Sequence, residues 1–74
     1  MRRRLEMVAD RIEACCAGYK ITASWSWMRQ HHGVVTLGFD TGGKDLRKLS
    51  DELTLSLGVP VTCWRDVVRL DRMP

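Results

Sequence analysis

The sequence predicts an α+β domain in the order α-β-β-α-β, with a three-stranded sheet and both helices packed on one face. Two signals lie in the stretch 33–61. Apolar residues at every second position indicate a strand, and apolar residues at steps of three and four indicate a helix. The strand residues are Val35, Leu37 and Phe39, and the helix residues are Leu46, Leu49, Leu53 and Leu57. Thr41-Gly42-Gly43 interrupts the extended chain between the strand and the helix. With the strand that follows, these two segments form a βαβ-like unit.

The first helix is expected over residues 3–17, ended by Gly18. Its apolar face consists of Leu5, Val8, Ile12, Cys15 and Cys16. The first strand is expected over residues 20–28, where apolar and polar side chains alternate most clearly. Ile21, Ala23, Trp25 and Trp27 share one face of this strand, and Thr22, Ser24 and Ser26 share the other. This pattern is typical of an antiparallel strand with one buried and one wet face.

Residues 30–33 are predicted to form a hairpin loop in which Gly33 has a positive φ, before a second strand at 34–40. The second helix is expected over residues 44–57, where Gly58 and then Pro60 end it. The last strand starts at 59 or 60, and we expect Arg65-Asp66 to bulge or bend it before 67–70.

A right-handed crossover brings the third strand back parallel to the second. If the third strand then lies beside the first, the sheet order is 2-1-3 and the first strand is central. This order predicts that Trp25 and Trp27 lie in the middle of the core.

The composition fits a single domain over residues 1–74. No stretch approaches the ~18 apolar residues that a membrane span needs. The three cysteines form no CxxC pair, which favours free thiols in a reducing cytoplasm. The sequence therefore predicts a cytoplasmic protein that does not enter a membrane.

Positive charge is unevenly placed in a chain with a net charge of +3. One group of arginines lies at the start and another near the end. They are Arg2, Arg3 and Arg4, and Arg65, Arg69 and Arg72. Solvated termini are the simpler interpretation, and a patch for phosphates or an acidic protein surface is the functional one.

Each candidate for chemistry has a simpler structural explanation. His31 and His32 lack the cysteine spacing of a zinc site and fit a polar loop. Gly42-Gly43-Lys44 lacks the remainder of a phosphate-binding loop and fits a turn. Cys15 and Cys16 show no neighbouring base, and at least one is expected to be a buried apolar residue. We expect no enzyme activity, cofactor or metal.

Trp64 is the strongest candidate for a partner contact. If Val61 and Cys63 face the helices, Trp64 lies on the open face of the sheet, where Met28 can join it. Aromatic residues and methionine beside arginine are typical of interface hot spots, and Arg65, Arg69 and Arg72 are nearby in sequence. The alternative is a bulged strand that buries Trp64.

From about residue 5 to its end, the chain resembles the small α/β module that precedes the motor of FtsK/SpoIIIE-type DNA translocases. The resemblance is carried by the leading helix, by Gly33-Val34-Val35-Thr36 and by the stretch 49–58. It departs from the family by lacking the proline of the strand motif and by ending where the family continues into another strand. It implies subunit packing or DNA-proximal contact without ATP hydrolysis, since no GxxxxGK[ST] loop is present.

The sequence therefore favours a non-catalytic binding module. One version packs against itself, through an open sheet edge, or against a DNA motor, and contacts duplex DNA through Arg2–Arg4 or through Arg65, Arg69 and Arg72. Another version is a phage or mobile-element inhibitor that blocks a larger host complex, as anti-CRISPR proteins do. A third version binds single-stranded nucleic acid by stacking bases on Trp25 and Trp27, which requires both residues to lie outside the core.

Overall fold

The computed structural model describes residues 3–74 and contains two helices and four strands. The elements are α1 (Arg4–Gly18), β1 (Ser24–His31), β2 (Val34–Asp40), α2 (Ser50–Leu57), β3 (Val61–Trp64) and β4 (Val67–Leu70). A short 3-10 helix, Arg47–Leu49, leads into α2. The predicted α+β class is confirmed, but the sheet has four strands where the sequence predicted three.

Both helices pack on the same face of the sheet, and one apolar core lies between the two layers. The predicted apolar faces of the helices and of β2 are buried there, apart from the half-exposed Cys15. Ile12, Leu37, Leu46 and Leu53 are completely inaccessible to solvent. The period of the apolar residues therefore identified the buried faces of the predicted helices and of β2 correctly.

The additional strand arises because Arg65-Asp66 forms a tight turn, and not the bulge or bend expected within one strand. Arg65 adopts a positive φ of 57°, so the chain reverses after Trp64. β3 and β4 consequently pair antiparallel, with Trp64 opposite Val67 and Val61 opposite Leu70. A residue outside the turn stabilises its main chain, since the Arg65 carbonyl accepts a hydrogen bond from the backbone N–H of Leu46.

The sheet order is β1-β2-β4-β3, and all neighbours are antiparallel. The predicted order 2-1-3, with β1 in the centre, is wrong. β4 turns back from β3 and takes the place beside β2, so the crossover from β2 through α2 passes over one strand position. β1 is left at one edge of the sheet and β3 at the other.

The prediction that Trp25 and Trp27 lie in the core is also wrong, since both are exposed. A bulge between Trp25 and Trp27 shifts the register of β1 on β2. Trp25 pairs with Phe39 on the helix side of the sheet, whereas Trp27 pairs with Gly38 on the opposite side. A bulge places one extra residue in a strand, so the two indoles no longer share a face.

Several ends of the elements differ from prediction. The predicted helix start at residue 44 is wrong, since α2 begins at Ser50 after the 3-10 helix. The β1–β2 turn contains two residues, His32 (φ 51°) and Gly33 (φ 80°), as a type I′ turn requires. After α1 the positive φ occurs at Lys20 and not at the predicted Gly18. The predicted stop at Gly58 is confirmed, because Gly58 adopts φ 72° and donates its N–H to the Thr54 carbonyl.

Candidate functional site

The face of the sheet away from the helices, which we call the open face, has an apolar row that crosses all four strands. The register places Trp27 beside Gly38, Gly38 beside Val67, and Val67 beside Trp64. Directly opposite residues of antiparallel strands point to the same side, so these four residues form one line, the tryptophan row. Trp27 is 45% exposed and Trp64 58% exposed. The row therefore presents an accessible indole at each edge of the sheet.

Trp27 lies directly on the main chain of β2. A Cβ atom at Gly38 would overlap Nε1, Cδ1 and Cε2 of the Trp27 indole. Gly38 does not adopt a positive φ, so its missing side chain matters here for space and not for backbone conformation. The Trp27 carbonyl also accepts a hydrogen bond from Nε1 of Trp25, at 3.0 Å. This bond ties the Trp25 indole to the main chain of Trp27, while the Trp27 indole lies against β2 with much of its surface in solvent.

Trp64 carries cations at its ring. The Arg47 guanidinium carbon is 4.6 Å from the ring centroid and that of Arg65 is 5.8 Å away, within the range of cation–π attraction. Asp45 holds Arg47 in place by accepting hydrogen bonds from its Nε at 3.1 Å and its Nη2 at 2.9 Å. The backbone N–H of Arg47, followed by its guanidinium group, lowers the pKa of the Asp45 carboxyl. This end of the row is therefore both aromatic and positively charged.

A second row lies beside the tryptophan row and contains two arginines and two threonines. Its members, in order across the sheet, are Arg29, Thr36, Arg69 and Thr62. Arg69 makes an exposed 3.5 Å ion pair with Asp71, a contact of the kind that contributes little in water. This arginine row gives the open face donors for anionic groups next to its apolar line.

The structure brings together only some of the residues that the sequence singled out. Trp64 lies on the open face as predicted, with Arg69 on the same face and Arg65 in the adjoining turn. Met28 does not join them, because it pairs with Leu37 on the helix side. Arg3 and Arg4 lie at the start of α1, in the helix layer, and Arg72 follows β4. Arg2 lies outside the described residues.

Three contributors to the site were not predicted from the sequence, namely Gly38, Arg29 and Arg47, and Trp27 was named for base stacking but placed in the core. Trp27 was assigned to the wrong face because the bulge is not visible in the alternation. Gly38 did carry a signal, since an isolated glycine inside a strand often marks a close approach of other atoms. Arg29 fell between the predicted strand and the predicted loop because β1 was expected to end three residues earlier than it does. Nothing in the sequence near Arg47 indicated its contact with Trp64.

The three thiols lie away from the tryptophan row, and two of them are buried in the core. Burial, and after it the neighbouring thiols Cys15 and Cys63, raises the pKa of Cys16 to about 11. Burial likewise raises the pKa of Cys15 and of Cys63. His31, the last residue of β1, and His32, in the β1–β2 turn, are exposed and contact each other edge to face at 4.2 Å. Across residues 3–74, no group of three or more histidine, cysteine or acidic side chains is arranged to hold a metal ion.

No family model, curated protein or solved structure matches this chain. The resemblance to the translocase module therefore remains a prediction from sequence. Among residues 3–74, no helix has the length and apolar character that crossing a bilayer requires.

Proposed function

We propose that the protein is a non-catalytic module that binds single-stranded nucleic acid on the open face of its sheet. The observation that carries the proposal is the tryptophan row, with an accessible indole at each end and the arginine row directly beside it. The stacking version of the sequence hypotheses required tryptophans outside the core. Trp27 meets that requirement, and Trp64 takes the place of Trp25 as the second stacking residue.

The two indoles supply the apolar part of binding. Stacking of a base on an aromatic side chain contributes roughly 1–3 kcal/mol and tolerates every base, because all bases have a π-face. The main chains of Trp27 and Trp64 are separated by three strand spacings, about 14 Å. Because the Trp27 indole lies over Gly38, the two rings are closer than this, with the small side chain of Val67 between them. The bases that stack on the two indoles therefore belong to nucleotides that are not neighbours, and a strand crosses the sheet between them.

The arginines supply the electrostatic part. Arg29 and Arg69 flank the tryptophan row on one side, and Arg47 and Arg65 lie at the Trp64 end. A strand that crosses the sheet can place its phosphates against both groups. Asp45 is bonded to Arg47, Asp66 is next to Arg65 in the β3–β4 turn, and Asp71 is paired with Arg69, so these three acidic groups limit the gain.

This arrangement favours single strands over duplex DNA. Bases in a duplex are stacked on one another, so their faces are not available to indoles on a flat sheet. The duplex contact predicted from the N-terminal arginines uses a different part of the molecule, because Arg3 and Arg4 lie in the helix layer.

The second candidate is a protein-binding module, either packed against a motor or acting as an inhibitor of a larger complex. Trp64 favours it, since an exposed tryptophan between two arginines has the composition of a protein hot spot. This candidate predicts that Trp64 matters for binding while Trp27 and Arg29 do not.

Fluorescence anisotropy with labelled oligonucleotides of about 10 residues, single-stranded and duplex, tests the proposal. We expect single strands to bind more tightly than the duplex, and affinity to fall with salt. Trp27→Ala and Trp64→Ala should each weaken binding by about 1–3 kcal/mol, and Arg29→Ala/Arg69→Ala should reduce the salt dependence. Tyr19→Ala and Arg11→Ala are the matched controls, because both residues are exposed on α1 or at its end.

Two results would overturn the proposal. One is an affinity for single strands that the Trp27→Ala/Trp64→Ala double variant leaves unchanged. The other is tighter binding to the duplex that is lost on Arg3→Ala/Arg4→Ala, which would move the site to the helix layer.

A further inference from the structure

The two edges of the sheet differ in how their main-chain groups are satisfied. On the outer side of β3, the N–H of Val61 donates to Oγ1 of Thr54 at 3.0 Å, and the N–H of Cys63 donates to Oγ of Ser50 at 3.1 Å. Both hydroxyls belong to α2, so the helix supplies partners that a further strand would otherwise supply. This edge of the sheet is closed from within the molecule.

The β1 edge is covered only at its start. The N–H of Trp25 donates to Oε2 of Glu13 at 2.7 Å, and the bulge follows directly. From Trp27 to the end of β1, the strand pairs with β2 on one side, and within residues 3–74 no strand lies on its other side. Alternate N–H and C=O groups of an edge strand point outward, and all eight side chains of β1 are exposed. This segment is a strand edge ready for pairing.

We propose that the occupant of this edge is a second copy of the chain, whose β1 pairs antiparallel with the first about a two-fold axis. A two-fold axis perpendicular to the sheet keeps the open faces on the same side, so residues of one face pair with each other. The two-fold axis must therefore pass through a residue position and not between two residues. Met28 and Arg29 are two such positions in this segment. Pairing centred on Arg29 places two arginines directly opposite, which is destabilising.

Pairing centred on Met28 is self-complementary. It sets the Met28 side chains of the two copies against each other on the helix side, where Met28 is 39% exposed. On the open face it sets Trp27 of each copy opposite Arg29 of the second copy, a cation–π arrangement that occurs twice. Residues 27–31 contain no acidic side chain, so Trp27 is the partner that this segment provides for Arg29 of the second copy.

We expect the proposed dimer to be weak. Pairing along one short strand buries less than the roughly 1,600 Å² of a standard interface. Each copy also carries a net charge of +3, so added salt screens the repulsion between them and strengthens association. A consequence that rests on the proposed function is that the two open faces join into one platform, on which a longer single strand can contact both copies at once.

Sedimentation velocity of the full chain without nucleic acid tests the pairing. We expect a monomer–dimer equilibrium that shifts toward dimer with protein concentration and with salt. Met28→Lys places two like charges opposite each other and should weaken the dimer about tenfold or more, whereas Leu55→Lys, at an exposed position on α2, should not. A monomer at every concentration, or a dimer that Met28→Lys leaves intact, would overturn the proposal.

Cross-linking tests the register even where dimers are sparse. In a Cys15→Ser background, Met28→Cys should form an intermolecular disulfide under mild oxidation, since the two Cα atoms lie opposite at the axis. Gln30→Cys should not, and a cross-link from Gln30→Cys in preference to Met28→Cys would contradict the register. Trp64→Ala should leave both results unchanged, which separates failure of this pairing from failure of nucleic-acid binding.

Discussion

The indole of Trp27 occupies the space that a side chain at Gly38 would fill. This contact joins the edge strand β1 to its neighbour on the open face, and it sets the position of the first indole in the tryptophan row. Two residues that the sequence pattern treated as a core aromatic and an ordinary strand glycine therefore depend on each other at the surface.

Replacement of Gly38 by alanine should displace the Trp27 indole into solvent. The added methyl group overlaps the ring, and an exposed side chain can move away more readily than the backbone can. Acrylamide quenching in a Trp25→Phe/Trp64→Phe background, where Trp27 is the sole tryptophan, should therefore increase. Gly18→Ala is the control, because a Cβ there meets nothing within 4 Å. Equal quenching in the Gly38→Ala variant would show that the indole does not lie on this glycine.

Removal of the hydroxyls that close the β3 edge should destabilise the fold. Thr54→Val leaves the Val61 amide without its partner, and Ser50→Ala does the same to the Cys63 amide. An unsatisfied, partly buried amide costs about 1–3 kcal/mol, which urea unfolding can resolve. Ser56→Ala, at an exposed position of the same helix, should change the free energy of unfolding much less. A loss no larger than that of Ser56→Ala would contradict the role of the hydroxyls.

The contact between Arg47 and Trp64 should respond to acid through Asp45. The folded-state pKa of Asp45 is lowered below the ordinary value of 3.8, so its stabilising effect is present above that value and is lost as the pH falls through the folded pKa. The indole N–H resonance of Trp64 should therefore shift with a midpoint below pH 3.8. Asp45→Asn should abolish this step. The same titration curve in both proteins would show that Asp45 does not hold Arg47 over the ring.

The thiols should react in the order of their exposure. Burial raises the pKa of all three cysteines, and only Cys15 is partly accessible. Iodoacetamide at neutral pH should modify Cys15 slowly, and it should reach Cys16 and Cys63 only on unfolding, as mass spectrometry can follow. Modification of Cys16 in the native protein at the rate of Cys15 would contradict the buried position of its sulfur.

Much of the core could be predicted because burial on helices and strands follows their own periods. Leu53 and Leu37 are buried where the periods of three to four and of two placed them. Strand neighbours could not be predicted in this way, since alternation indicates which face is buried and not which strand lies alongside. The β3–β4 turn was missed because Arg65 adopts positive φ without the glycine or asparagine that usually signals such a turn.

The candidate site was harder to predict than the core because it depends on registers across four strands. Trp64 could be placed on the open face from alternation within β3 alone. Its alignment with Trp27 needs the bulge in β1, the pairing of β2 with β4, and the turn at Arg65. A one-residue slip in any of these would place Trp27 in another row or on another face.

The hydroxyls of Ser50 and Thr54 also limit how large an assembly can become. A sheet with two open edges can add copies without end and grow into a fibre, as aggregating strand proteins do. In the proposed pairing, α2 blocks one edge, so each molecule would have a single site for strand addition and growth would stop after one step. Ser50→Ala/Thr54→Val would remove that stop, and the same hydrogen bonds that stabilise the monomer thereby act as a safeguard against polymerisation.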